Sequence, residues 1–274
     1  MDDITKMSLV EKRLISPEFA MDEEKRKAIL INEEENISIM VNEEDHLRIQ
    51  VFSSGLELQN LLNLSMEIDD KIAKNLNYAY SKEYGFLTTC PTNVGTGLRA
   101  SVLVHLPALT LTQNISKILE AISNFGMEIR GIYGEKSKAS GDMYQISNKQ
   151  TLNASEKDII NNLNLIIQKI IEQERLARKI ITKDSIELED KVYRSYGILT
   201  NCKKISTEEL SNLISDVKLG TDLGIITNMN DLKVNKIYLY TKPANLQKYT
   251  KEKLDAYQRD IKRAQIIKQI ICEE

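Results

Sequence analysis

Six residues of this chain, Glu44, Arg48, Cys90, Arg99, Arg130 and Glu135, are of types that do chemistry on charged groups. Two are carboxylates in turns, three are guanidiniums on segments that alternate like strands, and one is a thiol in a loop. Cys90 opens the run CPTNVGTG (90–97), which holds too many turn formers to be helix or strand. Residues 99–106 then alternate. Ala100, Val102, Val104 and Leu106 point one way; Arg99, Ser101, Leu103 and His105 point the other. Taken singly, each arginine reads as a surface residue and Cys90 as a buried loop cysteine. Taken together, and with their strands in one sheet, the three arginines would converge on one face. Converging guanidiniums repel unless an anion joins them, and arginine suits multidentate contact with phosphate. The chain has no GxxxxGK[ST] and no GxGxxG. Phosphate binding would therefore rest on arginines rather than on a glycine-rich cradle.

The elements that must position these residues are legible from periodicity. Residues 36–42 alternate with Ile37, Ile39 and Val41 on one face. Glu43-Glu44-Asp45 is the connection, and residues 46–51 alternate again, with Leu47, Ile49 and Val51 inward. Arg48 falls on the polar face of that hairpin, and the acidic turn reads as a solvated one or as a Glu44–Arg48 pair. Residues 56–80 carry Leu61, Leu64, Ile68, Ile72 and Leu76 at helical spacing. Residues 107–124 read as one helix with Pro107 in its first turn. Residues 127–133 read as a strand leading into Gly134-Glu135, and Gly131 beside Arg130 would let a ligand approach the backbone. A further strand is expected at 143–148. Residues 1–35 are charged and helix-prone in patches, with 16–27 a surface connection.

The remainder reads as mostly helical. Ser155 and Asp158 form a capping-box pattern ahead of a long helix to residue 181. Helices are expected at 186–200 and 207–219, with breaks at Gly220 and Gly224 and a strand or extended segment at 234–241. The last helix, 257–272, carries Arg259, Asp260, Arg263 and Ala264. On spacing alone it presents a solvated basic face with an Asp260–Arg263 pair.

Composition narrows the class. With 274 residues, 28% charged and 42% hydrophobic, the chain suits one large or two smaller globular domains. A net charge of -3, 5% aromatics and no Trp argue against a nucleic-acid binder. Three cysteines far apart, none in a CxxC, read as reduced thiols of a cytoplasmic protein, and two histidines are too few for a histidine metal site. No signal-peptide pattern and no apolar run of membrane-spanning length are present.

Three motifs, NEEDHLR (42–48), CPTNVGTGLRAS (90–101) and RGIYGE (130–135), resemble those of the ATP:guanido phosphotransferases. The resemblance is nearest to the branch that phosphorylates arginine in proteins. It runs from about residue 10 to the C-terminus and includes EQERLAR (172–178), VYRSYGILTNC (192–202) and RDIKRA (259–264). It implies transfer of the γ-phosphoryl of Mg-ATP to a guanidinium nitrogen. Arg48, Arg99 and Arg130 match phosphate-clamping arginines. Arg99, Ala100, Ser101, Val102 and Leu103, with Arg130, Gly131, Ile132, Tyr133, Gly134 and Glu135, match nucleotide-contacting segments. Glu44 and Glu135 match the carboxylates that hold the guanidinium, and Cys90 the reactive cysteine beside it. Arg259, Asp260, Arg263 and Ala264 match a pocket for phosphoarginine. That last module sets a protein substrate against free arginine or creatine.

The implied fold is α+β: a mostly antiparallel sheet packed with helices over 1–181, then a smaller, mainly helical domain over 182–274 that dimerises. Cofactors would be ATP and Mg²⁺, the metal held through ATP. The family's usual partners are a zinc-binding activator, a heat-shock repressor and a Clp-type unfoldase, which the marked proteins would reach under stress. Family members carry an N-terminal segment with an SxRxR motif; none occurs here, so the chain reads as shortened at its start. Two other readings stand beside this one: a non-catalytic phosphoarginine-binding or dimerisation module, and a kinase of small guanidino compounds.

Overall fold

A computed structural model describes residues 1–23, 26–131, 140–183 and 185–273. Two helices open the chain, α1 (Asp3–Glu11) and α2 (Pro17–Met21), capped by Asp2 and Ser16. Strands β1 (Ala28–Ile31), β2 (Ile37–Val41) and β3 (Leu47–Val51) form one antiparallel sheet in that order. Helix α3 (Leu58–Ala73) follows, then the short hairpin β4 (Tyr80–Ser81) and β5 (Gly85–Phe86). Strand β6 (Ser101–His105) leads into α4 (Pro107–Leu111) and α5 (Ile115–Asn124). Then come β7 (Met127–Gly131) and β8 (Met143–Asn148), with β8 central in an antiparallel β6-β8-β7 sheet. The rest is helical: α6 (Glu156–Ile181), α7 (Ser185–Asn201), α8 (Thr207–Asp222), α9 (Asp231–Tyr240), α10 (Pro243–Thr250) and α11 (Ala256–Cys272). Among the described residues, no helix is long and apolar enough to cross a membrane.

The expected fold class holds: antiparallel strands with helices, then helices alone. Several boundaries differ for physical reasons. Helix α3 stops at Ala73 because Tyr78 and Tyr80 leave it to pack edge-on against Phe86 (centroids 5.8 and 5.3 Å), and Tyr78 Oη donates to Asp69 (2.9 Å). The helix expected over 107–124 is two, parted at Gln113, whose φ of 56° lies in the left-handed region. Residues 234–241 are not extended. Asn230 caps α9 by accepting from the Lys233 amide, and Val234 and Ile237 bury one helical face. Gly220 does not break α8. A Cβ there would lie 2.3 Å from Val192 Cγ1, so the missing side chain lets α7 and α8 approach. In β2 the deeper face is Ser38 and Met40, not the isoleucines: Met40 is fully buried against α1 and α2, and Ser38 Oγ donates to the Leu14 carbonyl (2.5 Å). Strand β1, which covers the outer edge of that hairpin, lacked a readable pattern.

Among the polar contacts that tie the helical part to the rest, three sets stand out. Glu11 on α1 accepts from the Ala244 and Asn245 amides at the start of α10 (both 2.8 Å). Burial pushes the Glu11 carboxyl up, against those hydrogen bonds and the Lys242 and Arg259 charges. Glu174 on α6, buried, accepts from the Ala108 and Leu109 amides in the first turn of α4 (3.1 and 3.0 Å). It also accepts from Arg178 Nε (2.9 Å), whose Nη1 reaches Asp222 on α8 (3.0 Å). The EQERLAR motif is thus a clamp that sets α4, and with it the end of β6. Third, Ser215 on α8 donates to Asp142 (2.7 Å), and His105 Nε2 lies 2.8 Å from Ser215 Oγ.

Candidate active site

The acidic turn sits at the tip of the β2–β3 hairpin. Asn42 takes φ 58°, a conformation asparagine tolerates, and its amide donates to the His46 carbonyl (3.0 Å) to close the turn. Glu43 folds back and accepts from Arg48 Nη1 (3.0 Å), with its side chain only 9% exposed. Burial by itself would push the Glu43 carboxyl up. Hydrogen bonds from Ser16 and the Glu44 amide, with the Arg48 charge, hold it below the ordinary range instead. The expected Glu44–Arg48 pair is therefore made by Glu43, and Glu44 stands exposed at the tip.

Asp45 joins this turn to the cysteine loop. Its Oδ1 accepts from the Thr89 amide at 2.7 Å, so Glu44 and Cys90 each lie one residue from a shared hydrogen bond. Cys90 is half-buried, its Sγ 3.0 Å from Thr92 Oγ1, ahead of a single 3₁₀ turn at Pro91–Asn93. The loop continues past a bridge between Phe86 and Gly95.

Arg99 follows, just before β6. Its Nη2 donates to Glu128 on β7 (2.5 Å) and to Ser147 on β8 (3.1 Å), so the segment leading into β6 is tied to both other strands of this sheet. The expected alternation holds: Ala100 and Val104 are buried, Val102 half-buried, and Arg99, Ser101 and Leu103 exposed. Arg130 lies opposite Gln145, the residue that faces Leu103 on the other side. Ile132, Tyr133, Gly134 and Glu135 fall outside the described residues. The three arginines do not share one sheet. Arg99 and Arg130 belong to the β6-β8-β7 sheet, whereas Arg48 is on β3, which pairs with β2 and packs against α3.

In α11, Arg259 and Asp260 are partly exposed and Ala264 is buried. The Asp260–Arg263 pair is present (2.5 Å), but Arg263 is not solvated. At 1% exposure, its Nε donates to the Thr241 carbonyl (2.8 Å) and its Nη1 to the Ile205 carbonyl (2.7 Å). Sequence reasoning missed Glu43, Asp45, Glu128, Asn148 and Thr151, all of which hold the singled-out residues in place. The NEED tetrapeptide signals the first two; the others carry no local sign.

The frame is antiparallel α/β, and an acidic turn that pairs with Arg48 is hydrogen-bonded to a thiol loop. The comparisons give the class, an ATP-dependent phosphotransferase. Residues 1–177 match the family model of the ATP:guanido phosphotransferase C-terminal catalytic domain, and residues 185–274 match that of the protein-arginine kinase McsB C-terminal domain. A protein-arginine kinase of Bacillus pumilus is 50% identical over 267 residues, covering 97% of this chain and 73% of its own length. One of Halothermothrix orenii is 50% identical over 272 residues, covering 98% and 78%. Among solved structures, the duplicated taurocyamine kinase of Schistosoma mansoni superposes with a TM-score of 0.55 at 28% identity. That match covers 64% of this chain and 25% of the other. Lombricine kinase gives 0.55 at 27%, covering 64% and 51%. The chain belongs to the protein-arginine kinase family of the ATP:guanido phosphotransferases.

Proposed function

We propose that this chain transfers the γ-phosphoryl group of ATP to arginine side chains of proteins. The observation that carries the reading is the Asp45–Thr89 hydrogen bond, which couples the turn bearing Glu44 to the loop bearing Cys90. A guanidinium stays protonated in proteins and is a poor nucleophile. Held between Glu44 and Glu135, it would be oriented and would lose a proton to a carboxylate as its nitrogen bonds to phosphorus and the bond to ADP breaks. Cys90 would add negative charge on the guanidinium side. Arg48, Arg99 and Arg130 would offset charge on the nucleotide phosphates, with residues 99–103 and 130–135 along the nucleotide. The side chains of Arg48 and Arg99 are 45% and 41% exposed, which leaves them within reach of phosphate oxygens. Mg²⁺ would arrive on ATP and neutralise phosphate charge.

In this reading residues 1–181 are the catalytic domain and 182–274 a second domain that binds phosphoarginine and dimerises. Separate buried clusters on either side of Ile181 support that division. Arg259 and Asp260 would meet the phosphorylated side chain, with Arg263 and Ala264 as their floor. Marked proteins would pass to a Clp-type unfoldase in a cytoplasmic stress response, with a zinc-binding activator and a heat-shock repressor as partners. The test is incubation with Mg-ATP and an arginine-rich protein, followed by mass spectrometry for acid-labile phosphoarginine. Transfer is expected in the native chain and lost in Glu44→Gln, which keeps ATP binding. Normal turnover by Glu44→Gln refutes the assignment, and phosphorylation of free arginine alone refutes the protein substrate.

A further inference from the structure

The loop from Thr92 to Ala100 is held at alternate residues by two residues, Asn148, which ends β8, and Thr151, which follows it. The Thr151 hydroxyl lies 2.8 Å from the Thr92 carbonyl and 2.7 Å from the Val94 carbonyl. The Thr96 amide donates to the Thr151 carbonyl (3.1 Å). Asn148 Nδ2 donates to the Leu98 carbonyl (3.0 Å), and its Oδ1 accepts from the Ala100 amide (2.7 Å). Both side chains belong to buried residues, Asn148 at 5% and Thr151 at 6% exposure. Gly95 takes φ 113°, and a Cβ there would meet the Thr151 carbonyl oxygen at 2.4 Å. The loop lies against this segment as closely as backbone permits.

The grip has two ends. Thr151 holds the half that begins two residues after Cys90. Asn148 holds the two residues that flank Arg99. Losing either side chain leaves loop backbone groups without their partner and shifts its own half of the loop first. A displacement of about 1 Å at a phosphoryl-transfer site costs about a hundredfold in rate.

We propose that Thr151 and Asn148 are positioning residues that act on different substrates: Thr151 sets the acceptor guanidinium end through Cys90, and Asn148 the nucleotide end through Arg99. The inference rests on the phosphotransfer reading above. Thr151→Val removes the hydroxyl at constant shape. Asn148→Asp replaces the donor to Leu98 with a second acceptor. In steady-state kinetics, Thr151→Val is expected to lower kcat/KM for the acceptor protein about tenfold or more, with KM for ATP within about twofold. Thr151→Ser restores native values. Asn148→Asp is expected to raise KM for ATP about tenfold. Equal effects of each variant on both substrates, or none, overturn the proposal. If Thr151→Val does not fold, Thr151→Ala is assayed in the same way.

A second readout does not depend on turnover. Peptide-resolved alkylation of Cys90 should change at least about fivefold in Thr151→Val and less than about twofold in Asn148→Asp, with the order reversed for ATP affinity. A native chain that transfers no phosphoryl group refutes the phosphotransfer reading alone. Alkylation and ATP affinity that move together in both variants refute this inference.

Discussion

His105 connects β6 to α8 and makes stability depend on pH in a direction the structure specifies. Ser215 Oγ gives its one proton to the Asp142 carboxylate, so it accepts from His105, and the neutral ring carries its proton on Nε2. Nδ1 is enclosed, with no hydrogen-bond partner among the described residues. A second proton there would bury both a charge and an unmet donor. Burial chiefly, with the Arg178 and Lys218 charges and against Asp222, pushes the imidazole down from 6.5 to about 4. The unfolded chain therefore binds more protons than the folded one between those values. Stability from this group is complete above about pH 6.5 and is lost as pH falls toward 4. At about 1.4 kcal/mol per unit, the loss is about 2 kcal/mol at pH 5 and about 3 kcal/mol once both states are protonated.

His105→Gln keeps a donor for Ser215 and cannot titrate. Urea unfolding of native chain and variant is expected to converge by about 2 kcal/mol between pH 7 and pH 5. The imidazole resonance that this variant removes should titrate near 4, and the chain has only one other histidine to tell apart from it. A midpoint at or above 6.5, or a stability difference that does not change with pH, refutes the reasoning.

Other outcomes follow from packing. Glu174→Ala leaves the Ala108 and Leu109 amides and Arg178 Nε without their acceptor, while Arg178 Nη1 keeps Asp222. It should cost about 3–5 kcal/mol by denaturant unfolding, with Glu174→Gln intermediate. Gly220→Ala drives a methyl into Val192 and should cost about 1–3 kcal/mol. Adding Val192→Ala should recover part of that loss, and failure to do so would place the strain elsewhere.

Local pattern carried much of the architecture. The β2–β3 hairpin, β6, β8, α6 and α11 were legible because each is a periodic run with its own punctuation. The Ser155–Asp158 capping box is made within the chain segment that encodes it. The readings that failed depended on distant partners. Nothing near residue 80 shows that Tyr78 and Tyr80 will leave a helix for Phe86, and nothing near residue 234 separates a β-branched helix from a strand. Arg263 looks solvated by spacing. It is buried because the carbonyls of Thr241 and Ile205, 22 and 58 residues away, converge on it.

By itself the sequence determined the motifs, their order and the family, since residue type and short spacing are what a motif is. It also determined most helices and strands, whose periods are local. Tertiary structure alone decided which carboxylate Arg48 takes, how the three arginines divide between two sheets, and how Asp45 meets Thr89. It also decided that Asn148 and Thr151 hold the loop around Cys90 and Arg99. The contacts of Asp45, Asn148 and Thr151 join positions about 50 residues apart, and the loop's backbone groups accept whichever partner the chain path brings to them.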